Sequence, residues 1–315
     1  ERINNNLKKI KHANDRYVFH KIDLINYDLT KELIFQYKPD FIVHFAAETH
    51  VDRSITNPET FLKSNIIGTF NLLYSSLAYW EKLKNYKKDK FRFLHISTDE
   101  VFGSLGNSGK FNEKSNYSPR SPYSATKASS DHLVSSWHFT YGFPILITNC
   151  GNNYGPWQFP EKLIPLAIAK AIKNEPIPLY GDGKNIRDWI FVDDHADALK
   201  NILLKANSGK RYCIGGNEER TNKEVITEIC NFMDTLNLKD ESFKENIIFV
   251  DDRPGHDYRY SLDSSLLKKD LGWQPKHKFS EGIKETILWY LDNPNWIKNM
   301  ELKSYYRRER LGLKN

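Results

Sequence analysis

Phe91-Arg92-Phe93-Leu94-His95-Ile96-Ser97-Thr98-Asp99-Glu100-Val101-Phe102-Gly103 starts as an apolar, β-prone run and ends in side chains able to exchange protons. Its length and composition predict a buried strand. Thr98, Asp99 and Glu100 then fall at the carboxyl end of that strand, where open α/β sheets place their ligands. Further on, Tyr123-Ser124-Ala125-Thr126-Lys127 sets a phenol and an ammonium four residues apart, on one face of a helix. A positive charge beside a phenol favours phenolate and lowers its pKa. Each feature alone has an ordinary reading, as a solvated helix face or as loop solvation and an N-cap. Together, framed by Ser-Pro turn signals, they supply a base, an acid and an oxyanion stabiliser. That is an active site in outline.

Strands and helices alternate around these stretches. Tyr17 to Asp23 reads as a strand ending in an acid, followed by a helix near Asp28 to Tyr37 that Pro39-Asp40 ends. Phe41 to Ala47 is a near-continuous apolar run, the pattern of a strand buried on both faces of a parallel sheet. Asn57-Pro58 predicts a capped start for a long helix to about Leu83, and the Tyr123 helix runs to about Tyr141 before a strand from Ile145 to Asn149. The fold class is therefore α/β, a doubly wound parallel sheet. Residues 1–150 form that Rossmann-like domain. Past Asn149, prolines and glycines punctuate shorter strands (Ile177 to Tyr180, Trp189 to Val192, Ile247 to Val250) and helices near Asp193 to Ala206, Asn222 to Leu236 and Glu281 to Leu291. Residues 151–315 are read as a smaller substrate-binding region, interleaved with the first.

Composition narrows the function classes. With 39% hydrophobic and 27% charged residues, the 315-residue chain is an ordinary globular protein large enough for a sizeable core. The net charge of +6 is interspersed, and the basic clusters at Lys82 to Lys90 and Arg307 to Arg310 read as solvated helix ends rather than a nucleic-acid surface. A mild positive surplus suits an anionic, diphosphate-bearing substrate. Cys150, Cys213 and Cys230 are odd in number and widely spaced, which argues against a disulfide framework or a metal site and for a reducing, cytoplasmic setting. No run approaches the roughly 18 apolar residues a membrane helix needs.

The motifs Ser97-Thr98-Asp99-Glu100-Val101-Phe102-Gly103 and Ser121-Pro122-Tyr123-Ser124-Ala125-Thr126-Lys127 resemble the extended short-chain dehydrogenase/reductase superfamily. Ala46-Ala47-Glu48-Thr49-His50-Val51-Asp52-Arg53-Ser54 and Asp252-Arg253-Pro254-Gly255-His256 make the resemblance closer, to the dTDP-glucose 4,6-dehydratase family, over about Tyr17 to Trp296. The resemblance implies NAD as cofactor and a nucleotide sugar, dTDP-glucose, as substrate, on the route to dTDP-rhamnose. It implies a homodimer through the helices near Asn57 to Leu83 and Ser121 to Tyr141, for which Phe61, Ile66, Phe70, Leu73, Leu133 and Trp137 are candidates; these could equally face the sheet. In that chemistry Tyr123 and Lys127 serve oxidation at C4, with Thr98 on the C4 oxygen. Glu100 removes the C5 proton, and Asp99 protonates the departing C6 hydroxyl.

The remaining roles come from the same resemblance. Asp23, Leu24, Phe45, Ala46, Ala47, Ser64 and Asn153 match cofactor positions, together with Tyr123 and Lys127. Thr49, Asn152, Lys162, Leu163, Pro178, Tyr180, Arg187, Asn222, Arg253 and His256 match nucleotide-sugar positions. Ser64 stands where the family usually has Thr, Phe102 where Tyr is commoner, and Gly151 where Ser is common. No metal is implied.

A dinucleotide fold also needs a first strand and a Gly-rich turn opening a helix that holds the pyrophosphate. Nothing before Tyr17 reads as these elements, so the chain enters the family pattern near its third strand. Loss of the first strand is expected to split the sheet at its centre, and a truncated sequence is the expected cause. Gly103, Gly106 and Gly109 have suggestive spacing but read as a turn. Two alternatives stay open: an NDP-sugar 4-epimerase or decarboxylase of the same superfamily, and a non-catalytic fragment unable to hold NAD. Asp99-Glu100 favours dehydration over the first.

Overall fold

The computed structural model describes residues 17–301. In chain order α1 is Tyr27–Tyr37, β1 Phe41–His44, α2 Val51–Thr56, α3 Pro58–Phe61 and α4 Gly68–Trp80. Then come α5 (Asn85–Lys90), β2 (Arg92–Thr98), α6 (Pro122–Tyr141), β3 (Ile145–Cys150), β4 (Asn152–Tyr154) and α7 (Leu163–Ile172). β5 (Ile177–Tyr180), β6 (Ile186–Phe191), α8 (Val192–Lys205), β7 (Arg211–Ile214), β8 (Glu219–Thr221) and α9 (Asn222–Asp234) come next. β9 (Ile247–Val250), α10 (Ser265–Leu271), α11 (Phe279–Asp292) and α12 (Pro294–Glu301) complete the described residues.

The main sheet is parallel throughout, in the order β1-β2-β3-β7. Successive residues of its central strands point into different cores. Phe93, Ile145 and Ile147 pack with Leu73, Val134 and Phe143, whereas Leu94 and Leu146 pack with Ile202, Tyr212 and Leu267. Side chains alternate across a strand, so a sheet with apolar residues at consecutive positions must be covered on both faces. The fold class read from the sequence is correct. β7, from the second half of the chain, completes this sheet, while β4-β6-β8 and β5-β9 form two smaller sheets over a third core that holds Ile168, Ile226 and Ile283.

Two expectations need correction. Tyr17 to Asp23 forms no strand: nothing among the described residues pairs with it, and Val18 and Phe19 lie exposed. The expected split falls between this segment and β1, which pairs directly with β2 and forms the edge of the described sheet, with Phe41 and Val43 exposed there. Asn57 gives its helix no cap bond; its Nδ2 instead donates to Thr60 Oγ1 at 2.8 Å. The long helix beyond it is real but carries a π-helical stretch, Leu62–Ile67, of the kind that clusters at functional sites. Of the helix residues considered for a dimer, Phe61 and Leu73 are buried in this chain's own core, while Phe70 is exposed. Lys82 to Lys90 is largely exposed around α5, as read; Arg307 to Arg310 lies outside the described residues.

Helix α6 positions the site. Ser121 and Ser124 form a reciprocal capping box, Pro122 occupies the first turn, and Gly142 closes the helix in the left-handed conformation at φ 65°. Those signals fix the start of the helix, so Tyr123 and Lys127 fall in its first two turns.

Candidate active site

β2 ends at Thr98, and its hydroxyl organises the turn beyond it. Thr98 Oγ1 accepts from the Glu100 amide at 3.3 Å, capping a single 3-10 turn from Asp99 to Phe102, and donates to Asp99 Oδ1 at 3.1 Å. It also stands close enough to Tyr123 to pull that phenol's pKa down. The turn exits at Gly103, where φ is 83° and a Cβ would stand 2.5 Å from the Ser118 carbonyl oxygen, so only glycine fits. No helix succeeds Gly103 to Gly109, so this spacing is a turn, as read. Phe102 is buried against Phe111 and Tyr117.

Thr98, Asp99, Glu100, Tyr123 and Lys127 line one cavity of about 380 Å³ at the carboxyl ends of the parallel strands. Phe45, Ala47, Thr49, Asn152 and Asn153 share its wall. A second cavity of about 130 Å³ adjoins it through Glu100, Asn152 and Lys162. There the structure gathers Leu163, Tyr180, Arg187, Asn222, Arg253 and His256, from segments more than 90 residues apart. Not every expected residue arrives. Asp23 is exposed in a turn, accepting from the Ile25 amide at 3.0 Å, because the segment before it has no sheet to join. Leu24 packs against the core beside Gly68 instead. Ala46 is exposed between the wall residues Phe45 and Ala47, Ser64 lies in the π-helical stretch, and Pro178 is buried in β5. None of these five lines either cavity.

The two carboxyls differ in environment although they adjoin in sequence. Asp99 is 2% exposed, and its Oδ2 has no hydrogen-bond partner. Burial raises its pKa well above the ordinary value, and the charge of Glu100 adds to this against the opposing pull of Arg187 and Thr98. Burial also raises Glu100, but three cations, Arg253, Lys162 and Arg187, oppose it. Their surroundings therefore separate the two carboxyls in the direction an acid and a base require. The expected lowering of Tyr123 is not met in the protein by itself. Burial pushes its pKa well up, and the neighbouring Glu100, Cys150 and Asp99 push the same way. Lys127 directs Nζ to the Ile96 carbonyl oxygen at 2.8 Å, and burial lowers its pKa too.

The smaller cavity is cationic. Arg187, 4% exposed, donates to the carbonyls of Ile186, Asp257 and Tyr258 and stacks its guanidinium over Tyr260 at 4.4 Å. Arg253 reaches Asp52 at 3.4 Å, and its Nε is buried with no partner. Lys162 donates to the Thr49 carbonyl at 2.8 Å. His256 bonds Asp252 at 2.6 Å, and burial with the charges of Arg253 and Arg187 lowers it to about 4, so it stays neutral near pH 7. A buried guanidinium, a half-buried one and an ammonium suit phosphate oxygens.

Several contributors escaped the sequence. Asn65, inside the π-helical stretch, binds the Glu48 amide at 2.8 Å and Thr126 at 2.9 Å, and its carbonyl accepts Ser130 and Thr69. It ties the Tyr123 helix to the loop after β1. His195 and Gln158 fix Asn153, at 2.8 Å each. Tyr260 supports Arg187. Asn65 and Thr69 are buried polar residues one helical turn apart, which is the signal that marked this face. Gly151 brings β3 against β6: a Cβ there would lie 2.7 Å from the Asp188 carbonyl oxygen.

Comparison with known proteins agrees with this geometry. The pattern of the GDP-mannose 4,6 dehydratase family matches residues 1–286. The dTDP-glucose 4,6-dehydratase of Xanthomonas campestris pv. campestris is 50% identical over 302 residues, covering 95% of this chain and 86% of that protein. Dehydratase 1 of Escherichia coli K12, of the same name, is 46% identical over 300 residues, covering 92% and 83%. Among solved structures, the Streptomyces venezuelae DesIV dTDP-glucose 4,6-dehydratase with NAD and TYD bound has a TM-score of 0.84 at 38% identity, covering 94% of this chain and 86% of that one. A Thermus thermophilus UDP-glucose 4-epimerase complex with NAD has a TM-score of 0.79 at 25% identity, covering 91% and 88%. A family pattern across most of the chain and relatives near half identity place this protein, with its acid pair and Tyr-Lys helix, in the nucleotide-sugar 4,6-dehydratase family.

Proposed function

We propose that this protein dehydrates dTDP-glucose to dTDP-4-keto-6-deoxyglucose using NAD. The carrying observation is the unequal pair Asp99 and Glu100, set in one cavity with Tyr123 and Lys127. The epimerase neighbour has the same overall fold, so fold does not separate the two chemistries. Epimerisation needs no adjacent acid and base beyond the Thr. Dehydration does.

The larger cavity fits the nicotinamide half of the cofactor: Phe45 and Ala47 offer an apolar wall, Tyr123 and Lys127 stand beside it, and the Ser97 hydroxyl is buried without a partner. NAD⁺, when bound, would accept hydride from C4 of the sugar and return it to C6. Tyr123 takes the C4 hydroxyl proton, while Thr98 hydrogen-bonds the C4 oxygen and Lys127 supplies the positive charge that favours phenolate. The C4 carbonyl makes the C5 proton acidic; Glu100 removes it and returns a proton to C5 once C6 has regained hydride. Asp99, still protonated, gives its proton to the C6 hydroxyl, which leaves as water. Arg187 and Arg253 hold the diphosphate, with Lys162 between the two cavities.

A homodimer belongs to this reading. Phe70 and Tyr74 stack outward at 5.8 Å, both exposed, and Trp137 packs edge-on against Phe70. An exposed aromatic face spanning α4 and α6 suits a self-complementary two-fold contact. A cytoplasmic setting accords with three free thiols, and no helix among the described residues is long and apolar enough to cross a membrane.

Proton NMR of the protein with NAD and dTDP-glucose tests the assignment. Growth of a C6 methyl signal with the NAD pool unchanged is expected; a C4-inverted hexose with C6 intact would replace it with epimerisation.

A further inference from the structure

Helix α6 carries a third buried side chain on the face of Tyr123 and Lys127. Asp131 lies one turn beyond Lys127 and is wholly inside the protein. Three other segments reach it. Its Oδ2 accepts the Tyr117 hydroxyl at 2.6 Å and Asn149 Nδ2 at 3.1 Å. Its Oδ1 stands 3.1 Å from His95 Nε2, at ion-pair distance but not aligned as a hydrogen bond. None of these contacts belongs to the dehydration steps above.

Lys127 needs a counter-charge. It is 4% exposed, and its hydrogen bond goes to a neutral carbonyl, that of Ile96. A buried ammonium without an anion gives up its proton. We propose that Asp131 is a positioning residue whose buried carboxylate keeps Lys127 charged, and so keeps Tyr123 within reach of deprotonation. The electrostatics run the same way, since burial is the main influence lowering Lys127 and Asp131 the first opposing it. Asp99 and Glu100 share the larger cavity with Lys127 but are not among the groups that raise it, and the other titratable groups around the pair do not supply this charge either. His95 on β2 is lowered to about 4 by burial and by Lys127, and His44 on β1 is lowered well below its ordinary value by burial and by His95. Both are therefore neutral near pH 7. Cys150 on β3 is pushed up to about 12 by burial, and Tyr123 on α6 is raised as well. Arg211 on β7 contacts the Tyr117 hydroxyl and so reaches the carboxylate only through that phenol.

The role of Lys127 in oxidation rests on the function proposed above; the protonation of its amine does not. The test is an NMR titration of the ¹⁵N-lysine-labelled chain without substrate, with the Lys127 Nζ signal assigned by its loss in Lys127→Arg. In the unaltered protein the amine should be protonated at pH 7, and a neutral amine at that pH overturns the proposal. Asp131→Asn should move the midpoint down by about one pH unit or more, and Asp131→Glu should bring it back to within ~0.5 unit. An unmoved midpoint in Asp131→Asn, or in Asp131→Ser if the Asn variant does not fold, also overturns it. In turnover of dTDP-glucose, Asp131→Asn should bring the alkaline limb of the kcat–pH profile down by the same interval. Equal loss at every pH with an unmoved limb marks a structural residue and rejects the proposal. Absence of turnover in the unaltered protein, with the amine shift present, removes the functional reading and leaves this one standing.

Discussion

Lys127 Nζ donates to the carbonyl of Ile96 at 2.8 Å, two residues before Thr98 on the same strand. This one bond fastens the Tyr123 helix to the strand that delivers the acid pair. The groups proposed for oxidation and for dehydration are held together by it, and they line a single cavity.

Tyr123→Phe should remove the oxidation step. The hydroxyl is the group placed to take the C4 proton, beside Thr98 and against the cavity wall. Turnover should fall about 10²–10⁴-fold. No 340 nm absorbance transient should appear in a single turnover; a transient of normal amplitude would contradict the role.

Asp99→Asn should still allow oxidation but slow the loss of water, because an amide cannot supply the proton the C6 hydroxyl needs. Glu100→Gln should fail earlier, so exchange of the C5 proton with solvent should persist in the first variant and vanish in the second. If both turn over within about threefold of the unaltered enzyme, against the 10²–10⁴-fold a positioned acid or base provides, the dehydratase reading falls and the epimerase reading replaces it.

Asp99 should also reveal itself in stability. Its folded-state pKa is raised by burial above the ordinary 3.8. Such a carboxyl favours the fold fully when protonated in both states, below the unfolded value, and loses that contribution as pH rises through the folded value. Asp99→Asn should therefore raise Tm at pH 7 by about 2 °C or more, with no gain near pH 3. A gain independent of pH would point to packing instead of charge.

What the sequence revealed and what it hid have physical causes. Thr98, Asp99 and Glu100 were readable because a buried strand must end where its apolar run ends, and Tyr123 and Lys127 because their helix begins at strong capping signals. Arg187 and Arg253 came only through family resemblance, since nothing local marks a buried guanidinium. Tyr17 to Asp23 has strand composition, but a strand needs a neighbour, and none is present among the described residues. Asn65 and His195 were hidden in amphipathic helices, where one polar residue looks like surface until the packing is seen.

Arg253→Ala should weaken the nucleotide diphosphate and leave the chemistry mostly intact. Its guanidinium stands in the cationic cavity near Arg187 and Lys162, with a buried Nε that has no partner. Loss of a charged hydrogen bond costs about 1.5–3 kcal/mol, or about 10–150-fold in dTDP affinity by calorimetry. An unchanged Kd would remove Arg253 from the site.

Phe70→Glu should disrupt the proposed dimer. The residue is 39% exposed at the centre of the Tyr74 and Trp137 cluster, where a carboxylate would be buried on association. Sedimentation should show a monomer for the variant at a concentration where the unaltered protein is a dimer. A monomeric unaltered protein would count against the interface.

The most direct measurement of the central claim tracks hydrogen from C4. With dTDP-glucose deuterated at C4 and unlabelled NAD, the protein should yield a 4-keto-6-deoxy sugar carrying the deuterium in its C6 methyl group, with no deuterium left on the cofactor after completion. Deuterium found again at C4 of an inverted hexose, or retained on reduced cofactor, would contradict the account.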